Sequence, residues 1–189
     1  MIPTYLAIDD GYNRSVKAAN HNVVLVDGKG YQDEGQNNIW RNFSPKMVGD
    51  VEKFIHNETL TYVVGETAKT YQKSLALTRF ARHILYTNKS YFVIFDVLRS
   101  DKEHEYTWLL HSDVFPTKEA GGYFYQNGPG EMMLYPIFPK NVVGMQAENV
   151  VKAIMTTQEL DNFCQTKLKT LSLQTKEKTK DAYFLNVLS

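Results

Sequence analysis

Short apolar runs, each about the length of one strand and parted by glycine, asparagine and aspartate, recur along most of this chain, and nothing else in it constrains the fold as strongly. HNVVLV (21–26) reads as a strand, and Asp27-Gly28-Lys29-Gly30 supplies turn chemistry behind it, because glycine accepts positive φ at little cost. Leu60 to Val64, Leu77 to Tyr86, Tyr91 to Leu98, Glu105 to His111, the segment between Gly121-Gly122 and Asn127-Gly128-Pro129-Gly130, and Glu131 to Tyr135 follow the same pattern. Turn signals at irregular intervals of about ten residues are the mark of an all-β sandwich. The expected fold is therefore all-β, an antiparallel multi-sheet β-sandwich, with residues 1–189 forming one domain. YFVIFDVL (91–98) is nearly continuous in apolar character, which suits a central strand buried on both faces. Val23 to Val26 is expected beside it. Leu168 to Gln174 and Ala182 to Leu188 read as a closing hairpin around TKEKTKD, and Asp101 to Glu103 as a charged turn. Residues 31 to 58 read as a long polar loop, ETAKTYQK (66–73) as a turn of helix at most, and Val150 to Met155 as either helix or strand.

Composition narrows the function classes. Lys+Arg and Asp+Glu both number 21, so the chain is not a bulk-electrostatic binder of nucleic acid. No run approaches the ~18 apolar residues of a membrane span, and the N-terminus lacks the pattern of a signal peptide. Cys164 is the single cysteine, which excludes an internal disulfide framework. Aromatics at 13% suit strands and sugar-facing surfaces. Both ends are apolar almost to the last residue, in Tyr5 to Ile8 and Phe184 to Leu188, as in a fragment of a longer sandwich.

Several residue groups invite a chemical reading. Asp9 and His21 flank a short polar segment and are both good zinc ligands; the plain alternative is an aspartate turn and a hydrogen-bonded histidine at a strand start. Arg79 and His83 share one face of a strand and Arg82 takes the other, either as an anionic-sugar groove or as long side chains at an exposed edge. His111-Ser112-Asp113 are neighbours on one strand, which is not how a catalytic triad is built. Asn13, Asn42, Asn57 and Asn88 begin glycosylation triplets that occur often by chance. Trp40, Tyr123 and Tyr125 are candidates for stacking on sugars.

The runs AIDDG…NHNVVLVDGKGYQ, YVVGETAKTY, RFARHILYTNKSYFVIFDVL and TWLLH, with AYFLNVL near the end, resemble the C-terminal β-sandwich of the heparinase II/III-like polysaccharide lyases. The resemblance covers roughly residues 5 to 111. It implies bacterial enzymes, periplasmic or extracellular, that cleave uronic-acid polysaccharides such as heparin, heparan sulfate or alginate by β-elimination. It also implies an N-terminal helical (α/α) toroid packed on the sandwich, with the active site between the two and the catalytic Tyr and Asn or His on the toroid. On that footing this chain is the β-sandwich half of such a lyase, lacking the toroid and inactive alone. Its partners are an acidic polysaccharide and the missing toroid domain, not nucleic acid or membrane. The resemblance assigns Asp9 and His21 to a structural zinc site whose remaining histidine is absent here, so zinc is expected weakly bound or absent. It assigns Tyr12 to substrate contact. The alternatives are a non-catalytic carbohydrate-binding module and a structural, docking sandwich.

Overall fold

Ala182, Phe184, Asn186 and Leu188 are buried near the end of the chain, and the residues between them are half exposed. That period of two means one sheet face meets a core. The computed structural model describes residues 6–8, 17–32, 34, 48–88, 90–152 and 165–189, in which twelve strands form two antiparallel sheets. They are β1 (Val24–Val26), β2 (Asp50–His56), β3 (Leu60–Glu66), β4 (Leu77–Thr87), β5 (Tyr91–His104), β6 (Tyr106–Ser112), β7 (Thr117–Glu119), β8 (Gly122–Asn127), β9 (Gly130–Phe138), β10 (Val142–Lys152), β11 (Gln165–Thr175) and β12 (Thr179–Leu188). The small sheet runs β1-β6-β11-β10 and the large sheet β2-β3-β4-β5-β12-β9-β8-β7. Tyr106, Trp108, Leu171 and Leu173 of the small sheet pack with Phe80, Leu98, Tyr125, Leu134 and Phe184 of the large one in a single apolar cluster.

The expected antiparallel sandwich is present, and β5 is central, fourth of the eight strands. Four local expectations are corrected. Val24–Val26 lies beside β6 in the small sheet, not beside β5. β11 and β12 do not form a hairpin: β11 pairs with β6 and β10, while β12 pairs with β5 and β9, so TKEKTKD crosses between layers. Asp101 to Glu103 is not a turn, because β5 continues to His104, which pairs with Thr179. Asp50–His56, expected in a loop, is an exposed edge strand. Its hairpin to β3 is closed by Asn57, whose Oδ1 accepts from the Thr59 and Leu60 amides at 3.0 Å each. The undecided Val150 stretch begins as strand, since β10 extends to Lys152.

Asp27 and Gly28 both have positive φ, 48° and 72°, as a tight hairpin turn between Val26 and Lys29 requires. Asp27 also ties this turn to β5. Its carboxylate accepts from His104 Nδ1 at 2.7 Å and from the Glu105 amide at 3.0 Å, while His104 Nε2 reaches the Leu75 carbonyl at 2.8 Å. Burial alone raises the pKa of Asp27, but these two hydrogen bonds and the His104 charge outweigh it and bring it below its usual value. A depressed carboxylate pKa contributes stability above the unfolded value and loses it as pH falls through the folded one. Thermal stability of the wild type is therefore expected to drop more steeply below about pH 4 than that of Asp27→Asn, measured as melting temperature against pH.

Asn186 is fully buried on the core face of β12, opposite Ile94 and Pro136, and neither side-chain polar atom has a partner. An orphaned amide costs about 1–3 kcal/mol. Asn186→Leu, which keeps the branching at Cγ, is expected to raise stability by about 1 kcal/mol in chemical denaturation once its extra volume is accommodated.

Candidate functional site

Where β1 ends, the edge of the small sheet changes hands. β6 bonds to β1 through Val26, and its Leu109 amide then reaches the Val23 carbonyl at 3.0 Å. One pair further on, the partner is a side chain. Asn22 Oδ1 accepts the His111 amide at 2.7 Å, and Asn22 Nδ2 donates to the Ile8 carbonyl at 2.8 Å. Ile8 then resumes the edge, its amide donating to the His111 carbonyl at 2.9 Å. The Asn22 amide thus stands in for a peptide group between two chain segments, and it fixes His21 close to the segment that leads into Asp9.

Behind this edge lies a buried ion pair. Arg82 and Asp96 face each other across β4 and β5 on the core side, with Nε to Oδ1 at 2.6 Å and Nη2 to Oδ2 at 3.0 Å. Trp108 of the opposite sheet donates Nε1 to Asp96 Oδ2 at 3.1 Å, and Arg82 Nη1 donates to the Asn22 carbonyl. Burial works against the Arg82 charge, and the Asp96 carboxylate more than restores it. The Arg82–Asp96 pair thereby joins both sheets and the His21–Asn22 segment.

Together these groups shape a cleft of about 320 Å³ between the layers, lined by Ala18, His21, Val23, Tyr31, Thr67, Thr70, Tyr71, Phe80 and Arg82. Gly30 is needed for the wall to close: a Cβ there would stand 1.9 Å from Ala18 Cβ. Glu34 seals the same corner, accepting from the Ala18 and Gly30 amides at 3.0 and 2.9 Å and from Gln72 Nε2 at 3.1 Å. Tyr71 donates its hydroxyl to the Val24 carbonyl at 2.6 Å, and burial raises its pKa far above the ordinary phenol value. Tyr71 is therefore a neutral wall, not a proton donor poised for chemistry. The cleft offers aromatic and apolar walls with the His21 imidazole on its lining, a chemistry suited to a sugar ring, while the Arg82 guanidinium beside it is already paired with Asp96 and the Asn22 carbonyl.

His21 borders this cleft, whereas Asp9, Tyr12, Trp40 and Cys164 lie outside the described residues. Among the described residues no three His, Cys, Asp or Glu converge. Among the described residues His21 is one such donor, and zinc takes at least three from protein. Arg82 does face away from Arg79 and His83, but into the core, not towards an exposed edge. Arg79 is held by Glu52, with two contacts of 2.6 Å, and by Glu66 at 3.0 Å. His111 and Ser112 are buried; the His111 ring bonds to Thr170 Oγ1 at 2.8 Å and donates to the His21 carbonyl at 3.2 Å, so no triad forms. Tyr125 is fully buried, and the Tyr123 hydroxyl presses on the backbone of Gly144, so neither offers a free ring face to a sugar. Asn22 and the role of Arg82 as its clamp were not legible as functional features.

A family model described as heparinase II/III-like, C-terminal, matches residues 4–175. The chain belongs to this family. Its fold is also that of solved heparinase III domains. The heparinase III product of BT4657 matches at TM-score 0.67 and 13% identity over 91% of this chain and 24% of that one. The heparan sulfate lyase HepC mutant from Pedobacter heparinus gives the same TM-score, identity and coverage. A further heparinase III structure matches at 0.64 and 12%, over 91% of this chain and 23% of its own. The heparinase-like domain described here thus spans about a quarter of the length of these solved relatives. No curated protein matches it.

Proposed function

We propose that this heparinase II/III-like domain is the β-sandwich half of a lyase that cleaves uronic-acid polysaccharides, of the heparin, heparan sulfate or alginate type, by β-elimination. The observation that carries the reading is the cleft with Tyr31, Tyr71 and Phe80 on its walls and His21 on its lining, set in the stretch that the family model matches. In β-elimination a base removes the C5 proton of the uronate, the C–H electrons form the C4=C5 double bond, and the C4–O bond breaks. An acid then protonates the departing oxygen. The developing negative charge must be met by donors and cations held in place beforehand. In this reading the sandwich orients the sugar and a second domain supplies base and acid, because both groups must be fixed against one sugar at once.

Two measurements test it. Oligosaccharides of heparan sulfate and alginate, titrated into the 189-residue chain by calorimetry, are expected to bind weakly, and Tyr31→Ala to lower affinity by about tenfold, the equivalent of 1.4 kcal/mol. No unsaturated uronate should form with the chain alone, followed by its ultraviolet absorbance. Binding that Tyr31→Ala leaves unchanged would remove the cleft from consideration, and turnover by the pure chain would relocate the active site. The same reading expects the zinc site of Asp9 and His21 to be empty or weakly filled; stoichiometric zinc that is lost in His21→Ala would overturn that expectation.

A further inference from the structure

Two loops build one wall of the cleft, the first through Tyr31 and the second through Thr67, Thr70 and Tyr71. They are joined by the Gln72 amide, which donates to the Gly30 carbonyl at 3.1 Å, by the Gln32 amide, which donates to the Thr70 carbonyl at 2.8 Å, and by a bridge between Tyr31 and Tyr71. Both loops also run to one side chain at the end of β5. His104 is 4% exposed. Its Nδ1 lies 2.7 Å from Asp27 Oδ2, in the turn that leads into the first loop. Its Nε2 lies 2.8 Å from the carbonyl of Leu75, in the turn that ends the second.

An ionised carboxylate and a peptide carbonyl only accept, so both contacts are hydrogen bonds only when both ring nitrogens carry protons. A ring with one proton keeps its bond to Asp27 and turns the Nε2 lone pair towards the Leu75 oxygen. The Ser100 hydroxyl, 3.1 Å from Nε2, is the donor that such a ring can recruit. That hydroxyl donates instead to the Leu75 and Ala76 carbonyls, at 2.9 and 3.1 Å. It has a single proton, so serving the ring means leaving the carbonyls. Leu75 then loses both of these donors at a buried site, where an unmet carbonyl is costly. Ala76 beside it has φ of 49°, a left-handed conformation unfavourable to a residue with a Cβ, so this turn depends on the bonds that hold it.

We propose that His104 is a proton-operated latch on the cleft wall: with two ring protons it ties the Asp27 turn to the Leu75–Ala76 turn, and with one it releases the second turn and loosens the wall that carries Tyr71. For the cleft this is regulation by protons, a consequence that rests on the function proposed above; the latch itself is tested without sugar. The groups around the ring leave the imidazole to do the switching. Asp27 has its pKa brought below the usual carboxylate value and is ionised throughout. Tyr106 meets the ring edge-on at 6.1 Å, and burial pushes its hydroxyl up to about 12, so it stays neutral. Lys178 acts on Asp27 and Asp181 on Tyr106 from the side of β12, and Lys102 Nζ donates to the Ser74 carbonyl at 3.2 Å. Carboxylates and ammonium groups ordinarily titrate outside the range of an imidazole.

The test follows the free 189-residue chain by nuclear magnetic resonance from about pH 5 to about pH 8.5. The ring nitrogens of His104, assigned by their loss in His104→Ala, are expected to carry two protons at the acid end and one, on Nδ1, at the alkaline end. Along the same curve the exchange protection of the Gln72, Ala76 and Asp101 amides, which donate to Gly30, Lys73 and Ala76, should fall at least ~10-fold. The Met133 amide, bonded to Ser189 on the other side of the large sheet, should hold its protection. Asp27→Asn should move the transition at least ~1 pH unit towards acid, because the charged ring loses its counter-ion. His104→Ala should abolish the transition and leave the three amides weakly protected at every pH. A His104 ring that keeps one protonation state across the range overturns the proposal. So does a ring that titrates while the three amides stay protected, or a loss of protection that Met133 shares.

Discussion

Asp96→Asn is expected to destabilise the domain by about 3–5 kcal/mol, the cost of leaving a buried charge without its counter-ion. Asp96 is fully buried and takes bonds from Arg82 Nε and Nη2 and from Trp108 Nε1. Asparagine keeps one acceptor oxygen but turns an NH₂ towards donors and removes the charge that balances Arg82. Domains of this size are stable by about 5–15 kcal/mol, so the change takes a large share of the total. Guanidinium unfolding of Asp96→Leu, of Arg82→Met, and of the pair Arg82→Met with Asp96→Leu completes a cycle. The double variant should recover most of the loss, since removing both charges of a buried pair is far less costly than stranding one. It should not recover all of it, because Trp108 Nε1 and the Asn22 carbonyl are left without their partners. Equal losses in all three variants would show that packing, not charge pairing, dominates at this site.

Arg82 also shows where sequence reading stops. Alternation on β4 places Arg82 opposite Arg79 and His83, and the structure agrees. Alternation says which face a side chain takes, not what awaits it there, and only the packing of Trp108 against β5 shows that Arg82 points into the core at a carboxylate. The all-β layers were legible because short apolar runs are parted by turn residues along the chain, and the Asp27-Gly28 turn carries its own backbone requirement. Strand partners were not: β1 and β5 are alike in apolar content, yet which sheet each joins depends on contacts distant in sequence. β2 escaped because all seven of its residues are exposed, leaving no alternation to read. The polar end of β5 escaped because its pairing with β12 is made by backbone groups, whatever the side chains are. His21 was flagged by resemblance and does border the cleft. Asn22 was not, since an amide that replaces a peptide group leaves no pattern in sequence.

Asn22 carries the other large effect. Asn22→Ala removes the acceptor for the His111 amide and the donor for the Ile8 carbonyl. At about 1–3 kcal/mol for each stranded group, discounted because water reaches this edge, the expected loss is about 2–4 kcal/mol. The effect should be local in origin: in hydrogen exchange the His111 amide should lose protection far more than that of Leu109, which bonds to the Val23 backbone. Asn22→Asp separates the two halves of the bridge. Its carboxylate still accepts from the His111 amide but sets a negative oxygen against the Ile8 carbonyl, so at neutral pH it should be at least as unstable as the alanine variant. Lowering the pH through the carboxylate range, about pH 4, protonates that oxygen and restores a donor to Ile8. Relative to Asn22→Ala at the same pH, Asn22→Asp should therefore gain stability on acidification, although both lose the contribution of Asp27. A parallel fall of the two variants would mean that the side chain bonds to His111 alone. In that case the segment leading into Asp9 is held next to His21 by the Ile8 backbone, not by the amide.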